Sequence, residues 1–317
     1  MWKYINENDI KEFLLSLCLL KNNISDKDKI KKLYSISNNT LKNYKIFKIR
    51  KRNGKFRTIY NPNYSLKYIQ KQILNNILNN KSISKYAKAY HKNISLKDNA
   101  SVHLSKKVIL KLDIKNFFSS IRFIDIYNSC FSIEYFPKSI GMLLTNLCTY
   151  NGYLPQGAPT SSYISNLVMK EFDDELGEYC KQQNIAYTRY SDDMTFSGDF
   201  NPSLIIKKVR KMLYKLNLEL NNDKIHVVYN NKRQSVTGIV VNDKLQLSSD
   251  YRKKIRQEIY YIKKYGLESH LKYIKSELSK EKYLSSIYGR ILYVLQINNN
   301  DKEFIEYKKY LKEIIKN

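Results

Sequence analysis

An α+β fold is what this sequence predicts, and three observations predict it. Runs rich in β-formers recur at residues 44–60, 108–114, 187–197, 218–228 and 236–241; helical apolar spacing fills stretches between them; and from Asp250 onward the pattern is helical alone. With 317 residues and 43% hydrophobic content, the chain is long enough for one large domain or two to three subdomains with real cores. It has no internal repeat and no Gly-rich or Pro-rich linker, so the subdomains are expected to be closely joined.

In order along the chain, Ile10, Phe13, Leu14, Leu17 and Leu20 recur at helical spacing. Ser25-x-x-Asp28 then opens a second helix through Ile30, Leu33 and Tyr34 in the manner of a capping box. Tyr44–Arg50 and Lys55–Tyr60 flank Asn53-Gly54, a strong hairpin signal, with a stop at Pro62. The hairpin carries Lys48, Arg50, Lys51, Arg52, Lys55 and Arg57, and alternate residues share a face. Such a face serves either as a solvated edge or as a grip on phosphate. Leu66, Ile69, Ile73 and Ile77 form another helical stripe.

Val108 to Ile114 reads as a buried strand that closes on an acid, Asp113. A carboxylate there requires compensation, which either a salt bridge or a metal ion supplies. Phe117 and Phe118 follow in a loop, and Tyr135 to Tyr150 carries helical spacing. Leu154 to Ser162 then makes a turn into one helix whose apolar face includes Ile164, Leu167, Val168, Phe172 and Leu176. Pro159 suits its first turn, where free N–H groups favour anions.

The stretch Tyr187-Thr188-Arg189-Tyr190-Ser191-Asp192-Asp193-Met194-Thr195-Phe196-Ser197 reads as a hairpin with acid at its tip. An Asp-Asp pair in a turn is either a solvated surface feature or, held rigidly by its strands, an oxygen site for a hard divalent cation such as magnesium. Beyond it, Leu204 to Leu216 is amphipathic and basic, Leu218 to Val228 returns to strand, and Val236 to Val241 makes one more strand. Three amphipathic helices follow: one through Ile255, Ile259 and Ile262, one from Leu284 to Leu295, and one from Phe304 to Ile314. They form a separate C-terminal bundle.

Charge narrows the function classes. The chain carries 56 Lys+Arg against 29 Asp+Glu, a net +27, together with 28 tyrosines. Counterion release draws such a protein onto phosphate, and tyrosine rings stack on bases. Heavy use of Lys, Asn, Ile and Tyr also follows from an AT-rich genome, yet that bias alone does not leave Glu so outnumbered. Cys18, Cys130, Cys148 and Cys180 form no CxxC pair, which excludes a disulfide framework or zinc site and points to buried thiols in a reducing compartment. Phe13 to Leu20 is apolar but follows acids, so no signal peptide is expected, and no run is long enough to span a membrane.

Taken together, the strand acid Asp113, the hairpin pair Asp192 and Asp193, and the Gln-Gly turn between them resemble, in order and spacing, the palm of a reverse transcriptase. The resemblance implies a right hand with fingers (1–105), palm (106–245, with a fingers-side helical segment near 131–153) and helical thumb (246–317). Two Mg2+ ions would be bridged by Asp113 and Asp192, with the Ile114 backbone carbonyl and Asp193 as lesser ligands. Strand alternation keeps the two hairpin carboxylates from aiming at the metals alike.

Other positions carry over in the same way. Phe118 falls where the family places the ring that crowds the ribose 2′-OH, although a lone Phe also packs a core. Gln156 and Gly157, in Leu154-Pro155-Gln156-Gly157, match the segment beneath the templating base and incoming nucleotide. Arg57 and, less closely, Lys55 match the triphosphate contacts of the fingers, and Lys224 matches a lysine proposed to protonate pyrophosphate or is an ordinary surface lysine.

Asn99-Ala100-Ser101-Val102-His103 matches the NAxxH signature of retron reverse transcriptases, and Val236-Thr237-Gly238 matches their VTG triplet. The one small departure is Ser191, where that family usually has Ala. Membership would make the chain a cytoplasmic bacterial RNA-directed DNA polymerase acting on dNTPs. It would copy part of a cognate noncoding RNA from an RNA 2′-OH into branched RNA–DNA, with a nearby effector protein in antiphage defence. No ribonuclease H region follows the motifs, so a host ribonuclease H is the expected partner for template removal. The alternatives are a non-retron bacterial defence reverse transcriptase and an inactive palm that only binds RNA.

Overall fold

The first two helices start where the sequence supplies caps. The Asn6 side chain accepts from the Asp9 amide and the Asp9 carboxylate accepts from the Asn6 amide, opening Glu7–Ser16; Ser25 accepts from the Asp28 amide to open Asp26–Asn38. This computed structural model describes residues 5–21, 23–50 and 54–316. The first helix ends at Ser16, short of the apolar stripe, because the chain turns at Cys18, whose φ is 52°. Leu19 still reaches the interior.

Among the described residues nine strands follow in chain order: β1 (Tyr44–Arg50), β2 (Phe56–Pro62), β3 (Val108–Asp113), β4 (Ala186–Tyr190), β5 (Asp193–Gly198), β6 (His226–Tyr229), β7 (Ser235–Val236), β8 (Ile239–Val240) and β9 (Gln246–Leu247). β1 and β2 pair antiparallel with Ile49 opposite Arg57 and Lys48 opposite Thr58. Three members of the expected turn, Lys51, Arg52 and Asn53, lie outside the described residues. A four-stranded sheet runs β4-β5-β3-β6, which puts the strand ending on Asp113 beside the strand beginning at Asp193, and β7-β8-β9 make a small antiparallel sheet.

By contact the chain divides into two compact units. The first comprises Met1–Lys92, Lys111–Met194 and Asn201–His226; the second comprises Asn93–Leu110, Thr195–Phe200 and Val227–Asn317. In the first, the stripe Leu66, Ile69 and Ile73 of helix Tyr64–Asn76 is fully buried, as are Ile140, Leu144 and Leu147 of helix Lys138–Cys148. In the second, Ile255, Ile259, Ile287, Ile291, Phe304 and Leu311 of the C-terminal helices share one apolar core with Ala100, Ile109, Val236 and Ile239.

Several local expectations change. Phe117 and Phe118 are not in a loop but in a short helix, Phe117–Ser120, entered through Asn116 at a left-handed φ of 51°. The single helix expected after Pro159 is two, Ser161–Val168 and Lys170–Gln182, and Thr160 follows the proline as N-cap. Leu218 to Val228 is no continuous strand: Leu220 makes one bridge to Ile114, and the Asn-Asn-Asp cluster then closes a 3-10 turn, Asn222–Lys224. Asn and Asp side chains compete for backbone partners and break the ladder there.

Val236 to Val241 is a hairpin instead of one strand, because Thr237 and Gly238 both take positive φ, 47° and 87°, the geometry of a primed two-residue turn. Among its described residues the C-terminal part holds a fourth, short helix, Leu267–Tyr273, where Gly266 at φ 78° ends the long helix Ser249–Tyr265. Of the four cysteines, Cys130, Cys148 and Cys180 are buried as expected, and Cys18 is exposed.

Candidate active site

Asp113 ends β3 with 4% of its surface exposed, so its charge must be met locally. Lys224 Nζ lies 2.5 Å from its Oδ2 and Asn221 Nδ2 donates to its Oδ1 at 3.3 Å, while the Asn221 amide donates to its carbonyl at 2.8 Å. The 3-10 turn that breaks the expected strand is thus what returns Lys224 to the acid. On the other side, the amide of Ile114 donates to the Asp192 carbonyl at 3.0 Å, tying the end of β3 to the acidic turn. All three sequence-predicted acids therefore belong to one neighbourhood.

In that turn Ser191 takes φ 61°, Asp192 follows, and Asp193 starts β5. Burial pushes the Asp192 carboxyl above the ordinary carboxylate range, with the charge of Asp113 adding to it and Lys224 and Arg57 opposing. Asp193 is pushed up to about 6, by burial first and then by the charges of Asp192 and Asp113. Burial works against the Lys224 ammonium, but its bond to Asp113 and the pull of all three carboxylates leave its pKa raised.

Beneath the turn lies a network that sequence reading missed. Arg189, on β4, and Asp173, on helix Lys170–Gln182, are both fully buried. Arg189 Nε lies 2.8 and 3.0 Å from the two Asp173 oxygens and Nη2 lies 2.6 Å from Oδ2. Nη2 also donates to Asn166 Oδ1 at 3.2 Å, and Nη1 donates to the Ser191 carbonyl at 2.9 Å. The Tyr187 hydroxyl donates to Asp173 at 2.8 Å, and the Phe117 ring centroid lies 5.9 Å from the guanidinium carbon. A signal was present: Asp173 interrupts the apolar face formed by Phe172, Leu176 and Cys180, and Arg189 shares a strand face with buried Tyr187.

The Gln156-Gly157 loop docks on β2. The Gln156 carbonyl accepts from the Tyr60 amide at 2.9 Å, and Gly157, at φ 123°, approaches so closely that a Cβ would come within 2.9 Å of both Ile59 Cγ2 and the Tyr60 carbonyl oxygen. The Gln156 side chain is half-buried. Arg57 and Lys55 are exposed, Arg57 being near enough to act on Asp192, and Phe118 is half-buried with its ring centroid 5.5 Å from that of Phe117.

Within the second unit, the two short sequence motifs meet each other. Asn99 Nδ2 donates to Thr237 Oγ1 at 3.4 Å, Ala100 and Val236 share the apolar core, and Gly238 completes the β7–β8 turn. His103 is fully buried and shares a 2.7 Å hydrogen bond between its Nδ1 and Ser197 Oγ.

Among the described residues no three Asp, Glu, His or Cys side chains converge as a ready metal cluster; Lys224 instead neutralises Asp113. The donor chemistry nonetheless fits a hard divalent cation. Three neighbouring carboxylates, two of them raised by burial and by one another, are relieved by a cation that prefers oxygen. Also among the described residues, no helix is long and apolar enough to cross a membrane.

Comparison with known proteins bears on this site. The family described as reverse transcriptase (RNA-dependent DNA polymerase) matches residues 49–284. The retron Ec86 reverse transcriptase of Escherichia coli is 30% identical over 243 residues, covering 74% of this chain and 75% of that protein. The retron Ec83 reverse transcriptase of Escherichia coli is 33% identical over 241 residues, 69% and 76% of the two. Among solved structures, apo telomerase from Candida tropicalis truncated from its C-terminal domain matches with a TM-score of 0.47 at 15% identity. That match covers 66% of this chain and 55% of the telomerase.

Proposed function

The chain belongs to the reverse transcriptase (RNA-dependent DNA polymerase) family, among its retron type, and from that premise we propose that Asp113, Asp192 and Asp193 form its DNA-synthesis centre. The observation that carries this reading is the 3.0 Å bond from the Ile114 amide to the Asp192 carbonyl, which joins the strand acid to the acid pair.

Reverse transcriptases use divalent metal ions. In this chain Asp113 and Asp192 would be the main residues holding magnesium, with Asp193 and the Ile114 carbonyl as lesser ones. Bound there, two magnesium ions would supply activation of the attacking hydroxyl and neutralisation of the departing pyrophosphate. The rest is done by side chains. Lys224, held at Asp113 before nucleotide arrives, is the group that delivers a proton to pyrophosphate. Arg57 and Lys55 bind the triphosphate, Phe118 excludes a ribose 2′-OH, and the Gln156-Gly157 loop, fixed on β2, supports the template base and incoming dNTP.

As functional regions, fingers, palm and thumb correspond to residues 1–105, 106–245 and 246–317, a division by role that cuts across the two contact units. The RNA is a cognate noncoding transcript; of the two family motifs, Asn99, Ala100, His103 and Val236 are buried and, with Thr237 and Gly238, shape the second unit rather than touch the RNA themselves. Priming is from a 2′-OH of that RNA, giving branched RNA–DNA in a cytoplasmic antiphage system with an effector protein and host ribonuclease H.

The test of the centre is Asp192→Asn: magnesium-dependent primer extension is abolished while RNA binding is retained, and wild-type synthesis by the variant overturns the assignment. The test of priming is to purify the protein with its bound nucleic acid and treat it with a debranching enzyme. Release of DNA from RNA supports the 2′-linked product, and a linear product before treatment rejects it.

A further inference from the structure

Arg189 reaches the acidic turn through the backbone rather than through a carboxylate. Its Nη1 donates to the Ser191 carbonyl, the oxygen of the peptide that leads into Asp192. Holding that carbonyl fixes the plane of the peptide and with it the direction in which Asp192 leaves the turn. Ser191 needs such a hold: a left-handed φ of 61° on a non-glycine residue is strained and persists only where surroundings enforce it.

The guanidinium is in turn immobile. Its Nε and Nη2 are occupied by both oxygens of Asp173, Nη2 also by Asn166, and Asp173 is pinned again by the Tyr187 hydroxyl. Asn166 extends the brace, because its Nδ2 donates to the Ala89 carbonyl at 2.8 Å. The backbone of Arg189 itself is bound on both sides, its amide to the Tyr86 carbonyl at 2.9 Å and its carbonyl to the Lys88 amide at 2.8 Å. The Ser191 hydroxyl is met from outside by the Tyr90 hydroxyl at 3.2 Å. A buried ion pair is weak as a stabiliser, since apolar replacements of equal volume serve stability as well or better. Its geometry, forked onto one carboxylate and aimed at one carbonyl, is instead that of a strut.

We propose that Arg189, anchored by Asp173, is a positioning residue for the synthesis centre, setting Asp192 in the orientation in which it binds a divalent ion. The inference rests on the reading of Asp192 as a metal ligand. Lysine keeps the charge at this place but lacks the fork that spans Asp173 and the Ser191 carbonyl together.

The experiment is titration of the purified full chain with Mn2+ alone, followed by electron paramagnetic resonance of the free ion, alongside steady-state extension and thermal unfolding. Arg189→Lys is expected to weaken Mn2+ binding on the order of 10-fold and to lower kcat by a similar factor, with KM for dNTP nearly unchanged, the pattern of a lost support to a ligand. Wild-type Mn2+ affinity and kcat in a folded Arg189→Lys protein, even one with a lower Tm, overturn the proposal. Should Arg189→Lys not fold, Tyr187→Phe decides: it removes one bond to Asp173, and a few-fold weakening of Mn2+ binding supports the strut while unchanged binding rejects it. Failure of the underlying reading looks different, because then Asp192→Asn itself binds Mn2+ as the wild type does.

Discussion

Two hairpins, β1–β2 and β4–β5, treat charge in opposite ways. In β1 every residue but Tyr44 is exposed, and at the start of β2 so are Phe56 and Arg57, so Lys48, Arg50 and Arg57 keep their water. In β4–β5 the strands are mostly buried and the turn places Asp192 and Asp193 in a desolvated setting, over the buried Arg189–Asp173 pair. Exposed charges act singly and weakly and are screened by salt. Buried ones act on each other, which is why Asp193 responds to both Asp192 and Asp113. The first hairpin can lose a charge and adjust. The second has no such slack, because each of its groups has been placed against another.

The largest expected effect tests that lack of slack directly. Asp113→Asn leaves the shape of β3 but removes a carboxylate from the site, and primer extension should fall by about 10²–10³-fold, the several kcal/mol a metal-centred charge supplies. Next is Gly157→Ala, where the loop meets the exposed hairpin: a left-handed φ and a Cβ 2.9 Å from Ile59 and Tyr60 should cost about 1–3 kcal/mol, read as a lower Tm. A milder substitution effect there would show that β2 yields more than the contrast allows.

A smaller effect is one of pH. Asp193 is raised to about 6, so its contribution to the stability of the metal-free protein is complete below roughly pH 4, the ordinary carboxylate value, and is lost as pH rises through 6. Calorimetry in chelator should show Tm falling over that window by more in the wild type than in Asp193→Asn, and divalent ion should restore more at pH 7 than at pH 5. The smallest effect belongs to the exposed hairpin. Lys48→Ala with Arg50→Ala should change stability by less than about 0.5 kcal/mol and weaken RNA binding only a few-fold, less at high salt. A large loss there would erase the distinction between the hairpins.

What could be read from sequence was what local pattern decides. Asp113 stood out because an apolar run ended on it, and the Asp192-Asp193 turn because strand formers flanked turn formers. Asp113 ends a strand and the acid pair sits at a turn, as expected, whereas the seating of the Gln156-Gly157 loop on β2 had no trace in the sequence. The α+β class followed from the same periodicities. The strut was hidden because Arg189 and Asp173 come from a strand and a helix, and partnership across elements leaves no periodic trace. Lys224 was placed by a break in a strand, where Asn221, Asn222 and Asp223 override the β tendency of their neighbours. Thr237 misled for the opposite reason: threonine favours strands, and only the following glycine lets the pair turn.

The cysteines have a practical consequence. Cys130, Cys148 and Cys180 are buried, and burial pushes all three thiols upward, the last two to about 12, so at neutral pH they are protonated and slow to react. Cys18 is the exposed one, just past the first helix. A maleimide fluorophore should therefore attach at that single position in the native protein without any cysteine being replaced, giving a one-site optical reporter on an otherwise unaltered chain.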